Sequence, residues 1–481
     1  MDWLQAPGYW LARLVFERLL AGVYLIAFVV AVNQFRPLLG ERGLLPAPRF
    51  LDVVPFWRAP SVFHLHYSDR LLAVVAWAGV ALAALCLLGV PQAGPWWAAM
   101  VAWLVLWAAY LSIVNVGQTF YGFGWETLLL EAGFLAIFLG PARWAPPTLV
   151  ILAIRWLLFR LEFGAGLIKL RGDRCWRDLT CLHYHHETQP LPNPLSWFFH
   201  HLPVRVHKLE VAANHFAQLV VPLGLFAPQP IAGVAGAVIV VTQAWLIVSG
   251  NFSWLNVLTI TLAVATFDDG MLGRILPAEA PDLVATPGWH HVLVAALAAL
   301  VAVLSWRPVR NMASPGQRMN SSFDPFHLVN TYGAFGSVTK QRFEVVVEGT
   351  DAEEPNETAV WKEYEFKAKP GDPRRRPPQV APYHLRLDWL MWFVALPGRF
   401  DQRWLVALVG KLLENDRPTL RLLRANPFPD EPPTFVRARL YRYRFTTPAE
   451  RRATRAWWVR TLVGEFLPPM HLDAARRARA S

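Results

Sequence analysis

Nine stretches of this sequence are apolar over roughly the 20 residues a helix needs to cross a bilayer, and that restricts the fold before any motif is read. They are residues 11–32, 70–90, 95–115, 125–141, 147–169, 207–226, 231–249, 251–267 and 288–305. Pro91, Pro141, Pro146, Pro228 and Pro230 fall at the joins, where helices stop or turn. The short pair 231–249 and 251–267 could instead include a re-entrant segment. Arg13, Glu17 and Arg18 interrupt the first stretch and no small-residue cleavage site follows it, so it reads as a retained span. The expectation is an α-helical polytopic membrane domain of about nine spans over residues 1–306. A soluble, strand-rich α+β domain over residues 307–481 follows it.

Charge divides the chain in the same place. Residues 1–306 hold 17 Lys/Arg against 16 Asp/Glu, and residues 307–481 hold 29 against 19. Nearly all of the net charge of +11 therefore sits on the tail domain. A basic domain beside a bilayer suits anionic headgroups, so membrane lipids are an expected partner. There is no zinc-finger spacing, RNP motif or basic heptad helix, and nucleic acid is not expected. With nine spans, the loops 33–69 and 170–206 share a face with the tail. The positive-inside rule puts these Lys/Arg-rich segments in the cytoplasm, although it weakens for a segment as long as the tail.

Within the tail, FEVVVEG (343–349), WKEYEFK (361–367) and FVRARLYRYRFT (435–446) read as strands. Residues 384–396 and 403–415 have helical apolar spacing, and RRRPP (374–378) is a stiff basic connector.

The segment KLRGDRCWRDLTCLHYHHETQPLPNPLSWFFHHLP (169–203) carries far more chemistry than a connector between two spans requires. Three cysteines are too few for a disulfide scaffold. Cys86 lies in an apolar run and reads as core. Cys175 and Cys181, on either side of Trp176, form a disulfide if the loop faces an oxidising compartment, and are otherwise two thiols. His183, His185, His186 and Glu187 are metal-ligand types, but no two of these histidines have H-x-x-x-H spacing. Ligands would have to come from a turn or from elsewhere, so no metal is expected and the imidazoles read as hydrogen-bonded anchors. QPLPNP (189–194) must be extended or turning. Trp197, Phe198 and Phe199 would then anchor a short helix at the membrane interface.

Charges inside spans mark either function or a paired polar core. Arg155, Glu162 and Lys169 recur every seven residues, close to two helical turns, and so share one face. Arg160 lies off that stripe. His207, Glu210, Asn214 and Gln218 form a second stripe, and Glu126 and Glu131 add acids to 125–141. Two facing stripes make either a structural network that fixes helix register or a functional cavity. Lys169, at the end of its span, either snorkels to the interface or acts as a base from an apolar site. There is no G-x-S-x-G, H-E-x-x-H or phosphate-binding loop, and no cofactor is expected.

GDRCWRDLTCLHYHHETQPLPNPLSWFFHHLP (172–203) closely resembles the hallmark segment of the lipase maturation factor family. VVVEGTD (345–351), WKEYEFKAKPGDPRRRPPQVAPYHLRLDWLMWF (361–393), KLLENDRPTLRLLRANPFPDEPP (411–433) and LYRYRFT (440–446) are similar to that family's C-terminal domain. The resemblance runs over roughly residues 10–470. It implies a membrane protein that helps secreted lipases fold and assemble. The membrane would be that of the endoplasmic reticulum, or the cytoplasmic membrane in a bacterium. It also implies a luminal tail, against the positive-inside count. AGLIKLRGDRCW (165–176) is similar, more distantly, to the segment around the active-site lysine of vitamin K-dependent gamma-glutamyl carboxylase, with Lys169 at the lysine position.

Two functions follow. The first is a non-enzymatic, chaperone-like factor for a secreted client, a lipase by resemblance. The loop aromatics would bind apolar client surface and the tail arginines would add attraction. The second is a membrane-embedded enzyme acting on a lipid, quinone or protein substrate. Lys169 would be its base, Arg155 and Glu162 would set its electrostatics, and the His/Glu loop would cap the site.

Overall fold

The computed structural model describes residues 2–356, 358–396 and 403–480. The long elements of the first half are α1 (Trp10–Leu39), α2 (Asp69–Leu88), α3 (Trp96–Val116), α4 (Gly124–Ala136), α5 (Thr148–Arg171), α6 (Val204–Leu219), α7 (Ile231–Ser249), α8 (Leu255–Ala263) and α9 (Gly288–Ala313). Local signals set their ends. Ser68 caps α2 by accepting from the Leu71 N–H, and Gly89 closes it in the left-handed region at φ 87°. Pro147 holds the extended residue before α5, where no amide donor is needed.

Among the described residues, six helices are long and apolar enough to cross a membrane: Pro7–Leu39, Asp69–Leu88, Trp96–Val116, Val204–Phe226, Ile231–Ser249 and Gly288–Ala313. The other three apolar stretches differ from that expectation for two reasons. α4 has 13 residues and α8 has 9, each extended by a short 3-10 turn, so neither has the length of a full span. α5 has the length, with 24 residues, but carries Arg155, Arg160, Glu162 and Lys169. Those side chains are buried among other helices, so the protein and not lipid meets the charges.

Two sets of hydrogen bonds gather the helix ends. In one, Ala6 N–H donates to the Pro146 carbonyl, Leu11 N–H to Asp269, and Gln229 to the Tyr9 hydroxyl and the Thr266 carbonyl. In the other, Gln118 donates to the Leu45 carbonyl, Trp254 to the Trp125 carbonyl, Gln189 to the Ser249 carbonyl and Arg171 to the Met312 carbonyl.

The tail contains β1 (Arg342–Thr350), β2 (Lys362–Glu363), β3 (Glu365–Phe366), α10 (Arg386–Val394), α11 (Arg403–Leu413), β4 (Leu423–Ala425), β5 (Phe435–Phe445) and β6 (Trp458–Met470). An antiparallel sheet runs β2-β1-β5-β6, with Val345 opposite Leu440 and Tyr443 opposite Arg460. β3 and β4 form a separate ribbon. α10 packs against β1 and α11 against β5. β6, which the sequence reading lacked, is the long edge strand. Gly464, Pro468 and Pro469 blur its pattern, and proline is tolerated at an edge.

The tail is joined to the helices by buried polar contacts. Gln34 donates to the His384 carbonyl at 2.6 Å and accepts from the Arg386 N–H at 3.0 Å. The Arg386 guanidinium donates to the Phe120 carbonyl at 2.7 Å and to Glu126 at 2.8 Å. Asn251 accepts from the Val380 and Ala381 N–H groups and donates to the Pro378 carbonyl.

Candidate functional site

The α5 and α6 stripes meet only in part. Lys169 Nζ donates to Asn214 Oδ1 at 2.8 Å and to Gln218 Oε1 at 2.9 Å, and lies 4.9 Å from the centre of the Trp176 ring. It is 6% exposed, so it does not snorkel. Glu162 accepts from Gln218 at 3.2 Å and from Gln243 at 2.7 Å, and Gln243 in turn accepts from Asn256 at 2.7 Å. Gln243 and Asn256 were missed in the sequence reading, although each is a polar residue in an apolar run. Arg155 leaves the stripe and donates to the Ala265 carbonyl at 2.9 Å and the Leu225 carbonyl at 3.2 Å. Arg160 pairs with Glu131, which also accepts from the Tyr332 hydroxyl and Asn330. The interior thus holds an interlocked set of amides and charges, with Arg155, Arg160, Glu162 and Lys169 each bonded to a partner from outside α5.

His207 and Glu210, one turn into α6, belong to a different cluster. His207 Nδ1 lies 3.1 Å from Glu210 Oε2, and Trp245 donates to Glu210 Oε1 at 3.0 Å. Facing them is the short helix Leu182–Thr188 of the special loop. His186 packs between Phe199 and His207, and the His183 ring lies 5.8 Å from that of His207. His185 points elsewhere, against Phe252 and Phe335, and burial, aided by the charge of Lys169, pushes its pKa down to about 4.

The start of the loop is tied down covalently. Cys175 and Cys181 form a disulfide with their Cα atoms 4.8 Å apart. Trp176, inside that loop, donates to the Phe335 carbonyl at 2.8 Å. Glu187 accepts from the Phe445 N–H of β5 at 2.6 Å, and burial raises its pKa.

The three expected membrane anchors require correction. Trp197 and Phe199 are each 8% exposed, and only Phe198, at 45%, faces outward. Trp197 donates to the Thr446 carbonyl at 2.8 Å and packs edge-on against Trp457, while Phe199 packs against Trp245. QPLPNP delivers the short helix Ser196–His200 onto the sheet domain, so the aromatics meet protein first. Arg342, also missed, fixes the same junction by donating to the carbonyls of Glu187, Gln189 and Pro190.

Loop, helices and sheet thus form one continuous structure, and both halves match one family. Residues 11–274 match the family model of the lipase maturation factor transmembrane domain, and residues 328–468 that of the lipase maturation factor C-terminal domain. The chain belongs to the lipase maturation factor family. It is 45% identical to Lipase maturation factor 1 of Bos taurus, over 97% of this chain and 90% of that protein. It is 43% identical to Lipase maturation factor 1 of Homo sapiens, over 98% and 90%. Identity to Lipase maturation factor 2 of Homo sapiens is 31%, over 97% and 83%. No solved structure matches the chain. The special loop thus lies in a lipase maturation factor transmembrane domain, and its docking strand β5 lies in the family's C-terminal domain.

Proposed function

We propose that this chain is a membrane-embedded, non-enzymatic maturation factor for secreted client proteins, lipases being the client class. The observation that carries this is similarity to Lipase maturation factor 1 over nearly the full length of both chains. The paired interior around Glu162 and Lys169 supports a scaffold over a reaction chamber. The client surface is the loop–sheet junction: exposed Phe198, the basic strand β5 with its Arg437, Arg439, Arg442 and Arg444, and the edge of β6 with exposed Leu462 and Val463. Residues 1–306 form the membrane domain and 307–481 the junction-bearing domain.

The chain crosses the membrane nine times, with α4, α5 and α8 completing the set. Support comes from the two sets of helix-end contacts: α1, α5 and α7 run from the first set to the second, and α4 and α8 run back. The loop 170–206 and the tail then share a face. The Cys175–Cys181 bond supports that face being the oxidising one, the endoplasmic-reticulum lumen in a eukaryote or the periplasm in a bacterium. The test is expression in cells lacking their own lipase maturation factor. Restored secretion of active lipase, with lipase co-captured on this protein, is the expected result. Normal expression without restored activity or capture would overturn the proposal.

One observation favours a second reading. Lys169 is buried with amide oxygens and an indole face around it, and among the described residues it makes no ion pair. Under that reading Lys169 is the base of a membrane-embedded enzyme.

A further inference from the structure

The sequence argues against a metal site confined to 183–187, because its histidines lack H-x-x-x-H spacing. The fold supplies the missing ligands from α6. His186, His207 and Glu210 offer ligand atoms that all lie within 4.8 Å of one another. His186 is 4% exposed, and among the described residues neither of its ring nitrogens has a hydrogen-bond partner. Buried polar atoms are normally paired, and an imidazole with both nitrogens bare is an exception that calls for a cause. Burial holds this ring well below its ordinary pKa, so it is neutral, the form that ligates metals.

The surroundings fit the same cause. Glu210 Oε1 is oriented by the Trp245 indole N–H at 3.0 Å, the kind of outer bond that fixes a carboxylate ligand. His183 Nε2 is also buried without a hydrogen-bond partner among the described residues, with its ring 5.8 Å from that of His207.

We propose that His186, His207 and Glu210 bind one zinc ion, with His183 as the fourth ligand. Imidazoles plus one carboxylate in a four-coordinate shell suit zinc, whereas calcium and magnesium prefer all-oxygen shells. On binding, the side chains draw in to bonds of about 2.0–2.2 Å, with the histidines coordinating as neutral imidazoles. The ion ties the special loop to the first turns of α6. It thereby fixes Glu187, the neighbour of His186 that accepts from β5.

The test uses the full-length protein, purified in detergent, loaded with Zn2+ and dialysed against zinc-free buffer. Elemental analysis should find about one zinc per chain. His186→Gln and His207→Gln should each retain at least tenfold less. His201→Gln should retain the full amount, since the His201 ring nitrogen bonds the Trp197 carbonyl and the residue is outside the cluster. X-ray absorption of the wild-type zinc protein should show imidazole scattering and nitrogen or oxygen ligands, a readout that does not depend on the variants folding. Folded wild-type protein that keeps no zinc would overturn the proposal. So would zinc without imidazole scattering, or full retention in the His186→Gln/His207→Gln double variant.

Discussion

Replacing Arg342 by alanine should undock the special loop from the sheet. Arg342 opens β1 and is buried. Its guanidinium donates to the Glu187 carbonyl at 3.0 Å, the Gln189 carbonyl at 2.5 Å and the Pro190 carbonyl at 3.0 Å. Its Nε donates to Glu344 at 2.7 Å, and Glu344 also pairs with Lys369. Each hydrogen bond to a charged group contributes about 1.5–3 kcal/mol, but the bonds of one fork are not additive. The relevant scale is the loss of one partner from a buried charge pair, about 3–5 kcal/mol. Three loop carbonyls and part of Glu344 would be left without donors. Hydrogen exchange of the amides in 185–200, followed by mass spectrometry on the detergent-purified protein, reads the local opening. A loss of that size accelerates exchange by roughly a hundredfold or more. The control is Arg444→Ala, which breaks an exposed pair with Glu450 and should leave exchange in 185–200 near the wild-type rate. Arg342→Lys keeps the charge but cannot span three carbonyls, so it should fall between. Exchange in Arg342→Ala no faster than in Arg444→Ala would refute the reasoning.

If Lys169 acts as a scaffold residue that holds Asn214 and Gln218, as proposed, Lys169→Arg should keep most of the lipase-maturation activity in complementation while Lys169→Ala loses it; loss in a normally folded Lys169→Arg would promote the enzyme reading. Mass spectrometry after alkylation without reductant should find Cys175 and Cys181 linked, and their replacement by serine should lower stability by about 2 kcal/mol; two alkylated thiols in the wild type would be inconsistent with the bond. Burial, aided by the charge of Arg386, holds His384 at about 4 against an ordinary 6.5. The unfolded chain therefore binds a proton that the folded chain does not, and stability falls as pH drops from about 6.5 toward about 4. His384→Asn should lessen the fall of the thermal midpoint over that window, with His185 and His200 still contributing, and an unchanged slope would count against the assignment.

Much of this was legible in the sequence. The apolar helices, the placement of Glu162 and Lys169 on one face of α5, and β1 and β5 follow from period and composition. β6 was not legible, because its pairing with β5 and not its own alternation makes it a strand. The aromatics differ from the expected outward placement because Trp197 and Phe199 have the composition of membrane anchors, and only the tertiary structure covers them, Trp197 by the sheet domain and Phe199 by Trp245 and His186.

By itself the sequence determined which segments are apolar enough to leave water, where prolines and glycines break them, and that the segment 169–203 is not a plain connector. These are local, nearly additive properties of neighbouring residues. Only the tertiary structure decided which polar groups meet. Arg160 finds Glu131, Lys169 finds Asn214, Arg386 finds Glu126 and His186 finds His207, each across a gap in the chain that no spacing rule spans. Such pairs are chosen by how whole helices and the sheet pack. A buried charge accepts whichever partner that packing brings within reach, since leaving it unpaired costs more than almost any particular pairing.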